Sequence, residues 1–229
     1  MTATHVRPLG LLCTILVASA LPTSGVAGNS SAADRSVGQF LARGYTPHAY
    51  RATRRLEATN GNRSGWLEAV TEYSLAGGFR YQVTAEGGSS DIRSKVLRAV
   101  LDGERDVITR GEGDRATLAP ANYTFTPQGV SPEGLVAVSV VPRRKERALV
   151  NGTMFLRPEG GVLVRLQGRL AKNPSFWIKS VDIVRSYEQV AGVIVPITLD
   201  SHAQVRLLGA ATFRMTYSYE EIDGRPVRQ

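Results

Sequence analysis

Cysteine is nearly absent from this chain. The single one, Cys13, lies in the N-terminal apolar run, and Leu11-Leu12 precedes it where a lipid-attachment cysteine needs a small residue. Beyond that run there is no disulfide, no thiol chemistry and no thiolate metal site to expect. Histidine is also scarce. Outside the N-terminal run only His48 and His202 occur, far apart and without metal-site spacing. They read as structural or surface residues, and no metal is expected. A Gly-x-Ser-x-Gly elbow and a phosphate-binding glycine loop are missing too. Gly87-Gly88-Ser89 precedes a helix; a serine cap explains it as well as a bound anion would. Acidic residues are scattered. Glu220 and Glu221 are adjacent, so on a strand they face opposite sides, which argues against paired acid–base work. Asp182 has Arg185 or a cross-strand arginine as its expected partner. No catalytic residue, no cofactor and no enzymatic activity are expected.

Long apolar runs are lacking with one exception. Leu9 to Ala20 is apolar, Arg7 and His5 precede it, and Gly25-Val26-Ala27 offers small residues before a cut between Ala27 and Gly28. This is the three-part pattern of a secretory signal peptide. The run falls short of the roughly 20 apolar residues of a membrane span; a retained anchor is the alternative. The chain is basic, with 28 Lys+Arg against 20 Asp+Glu and a net charge of +8. Only Arg7 leaves with the signal. Outside the cytoplasm such a balance points to anionic headgroups or acidic surfaces rather than nucleic acid. The other reading is arginine spread over the wet faces of strands.

What is present is alternation. Val37, Phe40 and Leu41 have helical spacing and Gly44 stops them. From Tyr50 the period becomes two, and three strands joined at Asn60-Gly61-Asn62 and Gly77-Gly78 make an antiparallel meander to Glu86. A helix follows, capped by Ser90 or Asp91 and closed at Asp102-Gly103, with a further turn to Thr109. Strands return at Tyr123–Phe125, Leu135–Val141, Leu149–Leu156, Val162–Arg169, Phe176–Glu188 and Val193–Leu199. His202 to Glu220 reads as one long strand. Val205, Leu207, Ala211, Phe213, Met215, Tyr217 and Tyr219 share its greasy face, and Gly209 marks a bulge. The expected architecture is α+β and β-rich. A large antiparallel sheet of about ten strands has two or three short helices over one face. The expected boundaries are a signal at 1–27, a flexible lead-in at 28–35, one domain at 36–222 and a tail at 223–229.

From Val150 to Tyr219 the chain resembles bacterial outer-membrane lipoprotein-sorting proteins. The residues that carry the likeness are VNGTMFLRPEGGVLVRLQGRLAKNPSFW, then VDIVRSYEQVAGVIVPITLDSHAQVRLLGAATFRMTYSY. Those proteins belong to the LolA-like periplasmic carrier superfamily, which includes a periplasmic regulator of envelope-stress signalling. The resemblance implies a curved half-barrel with helices over its concave face and an apolar cavity for acyl chains. It implies a monomer in the periplasm, with peripheral membrane contact and an inner- or outer-membrane partner protein. No lipid-contacting residue of the family matches a position here.

Two sets of residues are therefore candidates. Phe79, Tyr81, Phe155, Trp177, Tyr187, Phe213, Met215 and Tyr217 are either ordinary core or the wall of a cavity, because so few helices leave so wide a sheet short of cover. Arg143, Arg144, Lys145 and Arg147 form a basic cluster that either docks on headgroups or a partner, or is a solvated hairpin tip. The leading expectation is a non-catalytic carrier of lipid or lipoprotein acyl chains. The alternative is an envelope interaction or sensor module on the same half-barrel.

Overall fold

The architecture follows from where the alternation turns back on itself. The computed structural model describes residues 32–43, 47–206 and 209–228; the expected signal peptide and its expected cut lie outside them. Helix α1 (Ala32–Ala42) comes first and takes in Ala32–Arg35, which the sequence suggested as lead-in. The meander is β1 (Ala49–Asn60), β2 (Arg63–Ser74) and β3 (Gly78–Gly88). Next come α2 (Ser90–Ile92), a π-helical turn (Arg93–Leu97) and α3 (Arg98–Thr109), continuous with one another. Gly103 does not end α3 but is buried in its middle. Seven strands complete the main sheet: β4 (Tyr123–Val130), β5 (Val136–Pro142), β6 (Val150–Leu156), β7 (Leu163–Leu170), β8 (Ile178–Val190), β9 (Val193–Val205) and β10 (Gly209–Ile222). Within the tail, β11 (Arg225–Pro226) pairs with the end of β10.

All strands form one antiparallel sheet in the order β3-β2-β1-β10-β9-β8-β7-β6-β5-β4, with β11 beside β10. Its two outer strands stay apart, so the sheet is an open half-barrel. The long strand expected from His202 to Glu220 is instead a hairpin. Val205 pairs with Gly209 and Leu199 with Met215. Gly209 has φ +80°, a conformation that favours glycine. This pairing matches odd positions with odd positions, so the apolar side runs through the turn unchanged. A register that preserves parity makes two strands look like one.

The inner face holds the core. One cross-strand row, Leu67–Leu56–Met215–Leu199, continues through Arg185 to Leu166, Met154 and Val138. Its apolar members are at most 3% exposed. Helix α1 lies over β4–β6, and the α2–α3 segment lies over β1–β3. The connection from α3 to β4 adds buried Thr117, Leu118, Ala119 and Asn122.

The outer face is polar and laced by ion pairs. Arg80 Nε donates to Glu72 at 2.7 Å, Arg51 also pairs with Glu72, and Arg51 Nε donates to Glu220 at 2.9 Å. The Arg80 hydrogen bond holds the Glu72 carboxyl below its usual value of 4.5, and the Thr53 hydroxyl with Arg51 does the same for Glu220. A depressed folded pKa adds stability above the unfolded pKa and loses it as pH falls through the folded one. Thermal unfolding in low salt is therefore expected to be flat from neutral pH down to about 5 and to decline below about pH 4.5. A melting temperature unchanged at pH 3 would show that these pairs contribute nothing.

Candidate functional site

Position 54 carries an arginine where the β1 alternation calls for an apolar residue. Ala52, Leu56 and Ala58 flank it on the inner face, and the pairing places Ala69 and Tyr217 beside it. Arg54 is 2% exposed. Its Nη1 donates to Glu104 Oε2 of α3 at 2.6 Å, its Nη2 to Glu104 Oε1 at 3.2 Å, and Nη2 also donates to the Tyr50 hydroxyl. The guanidinium lies 4.7 Å from the Tyr217 ring centroid and 5.1 Å from that of Phe79. Burial works against the charged form, but Glu104, Tyr50 and Tyr217 outweigh it, so Arg54 stays charged with its pKa well above the ordinary value. The arginine is thus its own ligand in an aromatic cage, with its counter-ion on the covering helix.

The rim of that helix is fastened by further polar contacts. The Tyr81 hydroxyl donates to Asp102 Oδ1 at 2.8 Å, and burial together with this bond pushes its pKa up to about 12. Arg93 Nη1 donates to Glu86 at 2.6 Å, and Arg98 reaches the same carboxylate. Across the inner face a second buried arginine, Arg185 at 6% exposure, lies beside the Tyr187 hydroxyl. Burial raises the Tyr187 pKa, against the opposing pull of Arg185.

Six of the eight cavity candidates lie on this inner face. Phe79, Tyr187, Phe213 and Met215 belong to the continuous core, with Tyr81 and Tyr217 packed against it. The other two lie elsewhere. Phe155 pairs with Arg165 on the opposite face, where the guanidinium covers its ring at 4.4 Å. Its neighbours Met154 and Leu156 take the inward positions, so parity excludes it. Trp177 precedes β8 in a surface loop and is 47% exposed.

The basic cluster is largely tied up. Arg144 donates to Glu146 at 2.7 Å, to Asn122 Oδ1 at 2.7 Å and to the Arg115 carbonyl at 2.8 Å. Arg143 Nε donates to the Pro120 carbonyl at 2.8 Å. These two arginines clamp the α3–β4 connection; Lys145 remains exposed and Arg147 half-buried. Asp182 takes the cross-strand choice, pairing with Arg169 at 2.9 Å.

A hollow of about 600 Å³ opens at one end of β1, β2, β9 and β10. The pairing puts the side chains of Glu57, Trp66, Asp200, His202, Thr212 and Arg214 from its lining on the outer face. Trp66 is half-buried with the Arg55 guanidinium 4.5 Å from its ring, and Arg214 lies 3.5 Å from Asp200. Sequence reasoning passed over this group because its members come from four strands. It also passed over Arg54 and Glu104, and took Arg185 only as an alternative partner of Asp182, although the signal was there. Each is a charge set into an apolar parity or stripe, which only a buried partner explains. Among the described residues no group of three or more His, Cys, Asp or Glu could hold a metal, and no helix is long and apolar enough to cross a membrane.

The chain is similar to solved structures at low identity. A DUF1329 family protein from Desulfovibrio piger shares 10% identity over 82% of this chain and 88% of that one, with a TM-score of 0.37. MucB, solved in complex with MucA(peri), shares 9% over 82% and 94%, with a TM-score of 0.22. The MucA/MucB complex of Pseudomonas aeruginosa has the same identity and coverage and a TM-score of 0.20. No protein-family model and no curated protein matches the chain.

Proposed function

We propose that this protein is an exported, non-catalytic binding module of the cell envelope, and that its outer hollow seats a segment of a partner protein. One contrast carries the reading. The floor of the half-barrel is sealed, with Leu56, Leu67, Leu199 and Met215 all at 0% exposure, while the roomy concavity lies outside. The lining sets an indole and a guanidinium in a concavity beside the carboxylates of Glu57 and Asp200, and tryptophan and arginine are among the side chains that dominate protein–protein binding energy. The signal-peptide pattern supports export, and the bacterial resemblance supports the periplasm. The partner would sit in the inner or outer membrane.

A photo-crosslinking residue at His202 is expected to give one discrete protein adduct in cells. Trp66→Ala with Arg214→Glu should abolish it without altering the purified protein's melting temperature by more than a few degrees. A diffuse smear, or an adduct indifferent to the double substitution, would sink the reading.

Acyl-chain carriage remains the second reading. Its support is the cover over β1–β3, whose rim is held by polar contacts at Glu86 and Asp102 rather than by apolar packing alone. Native mass spectrometry of protein purified without detergent separates the two. A stoichiometric lipid, with uptake of a fluorescent fatty acid, selects the carrier; a ligand-free spectrum selects the partner-binding module.

A further inference from the structure

The two ends of the sheet differ in charge. The β1–β2, β5–β6, β7–β8 and β9–β10 connections share one end. They and the strand residues beside them carry Arg63, Arg143, Arg144, Lys145, Arg147, Lys172, Lys179 and Arg206 against a single acid, Glu146. The first turn of α2 adds Asp91, which is paired with Arg63 and Lys95. The β2–β3, β4–β5, β6–β7, β8–β9 and β10–β11 connections at the other end, with the strand residues beside them, carry Glu133, Glu159, Glu221 and Asp223 against Arg157 and Arg225.

The basic end also bears the most exposed large apolar side chain among the described residues. Phe176 is 76% exposed and Trp177 47%, and their rings meet edge to face at 5.7 Å. This loop is held in place. The Arg206 amide donates to the Trp177 carbonyl at 2.7 Å, Arg206 Nε to the Phe176 carbonyl at 3.1 Å, and Asn173 Nδ2 to the Lys179 carbonyl at 2.7 Å. The Arg206 guanidinium covers the Phe176 ring at 4.9 Å. Exposed Lys172 and Lys179 bracket the two aromatics, and the loop has no carboxylate.

We propose that this end of the half-barrel docks on an anionic bilayer surface, with Phe176 and Trp177 entering the boundary between headgroups and acyl chains. Aromatic rings favour that boundary, and neighbouring lysines and arginines are drawn to anionic headgroups. Of the four residues suggested for the headgroup role, Lys145 and Arg147 keep it and Lys172 and Lys179 join them, because the clamp on the α3–β4 connection occupies Arg143 and Arg144. The docking does not depend on the outer hollow or on any cargo.

The chain has two tryptophans, so Trp66→Phe leaves Trp177 as the only reporter. Phosphatidylglycerol vesicles are expected to shift its emission to the blue, and phosphatidylcholine vesicles to leave it unchanged. Phe176→Ser with Trp177→Ser should reduce flotation of the mature protein with phosphatidylglycerol vesicles by about tenfold or more. Lys172→Glu with Lys179→Glu should reduce it by about 25-fold or more, at roughly fivefold for each lost basic residue. All four side chains are exposed, so the melting temperature reports that the variants remain folded. An unshifted Trp177 spectrum on phosphatidylglycerol, or full flotation of the double serine variant, overturns the proposal. So does a loss of the His202 adduct in the serine variant with vesicle binding unchanged, which would assign the loop to a protein.

Discussion

Replacing Arg54 by methionine is expected to destabilise the protein by about 5 kcal/mol, and replacing Glu104 by glutamine by about 3 kcal/mol. Both are at most 4% exposed and each is the other's counter-ion. Either single change leaves one member of the pair buried without its partner charge. The order follows from the cage. Aromatic ring faces are electron-rich, so Tyr217 and Phe79 still favour a lone guanidinium but repel a lone carboxylate. The double variant, Arg54→Met with Glu104→Met, is expected to be less costly than the Arg54→Met single. With both charges gone the site becomes an apolar contact between α3 and the sheet. Urea unfolding of the three variants measures this. Equal costs for the two singles would refute the role of the rings, and a double variant weaker than both would refute the pairing.

Alanine at Gly152 is expected to cost about 3 kcal/mol or more, and alanine at Gly168 a similar amount, above the usual range for an added methyl because backbone must move. The two glycines face each other across β6 and β7. A Cβ on Gly152 would overlap the Gln167 carbonyl oxygen and lie 2.6 Å from the Gly168 Cα; a Cβ on Gly168 would overlap the Asn151 carbonyl oxygen. No flexible side chain can yield there. Gly38, in α1, would meet nothing within 4 Å and has no left-handed φ, so it serves as the steric control. A melting curve for Gly152→Ala that overlays the parent would mean that the two strands separate easily at this point.

The inward side of the meander strands and of the last long strand was legible in the sequence, because period-two alternation marks faces whatever the partner strand. Leu56, Leu67, Phe213 and Met215 all lie where it puts them. Phe155 shows the limit of choosing residues by type. It is large and aromatic, yet its even-numbered neighbours Met154 and Leu156 hold the inward positions. Trp177 shows another limit, since a strand start read two residues too early, at Phe176 rather than Ile178, turns a loop residue into a strand residue. The candidate site was legible only in part. Arg54 and Glu104 each break a local apolar pattern. That pattern can announce that a buried charge needs a partner, but not that the partner stands 50 residues away on a helix.

The sequence by itself determined the β-rich class, the inner and outer faces of the alternating strands, the meander and the cysteine-free core. All of these depend on spacing within a few residues. Tertiary structure alone decided the rest. Where β9 turns into β10 depends on pairing, since parity is the same on both sides of the turn. Whether Phe213 and Met215 line a hollow or a packed floor depends on what α3 and the α3–β4 connection bring over them. The outer hollow and the basic, aromatic end exist only because strands distant in sequence lie side by side. Contacts between such strands leave no period in the chain, so no local pattern could record them.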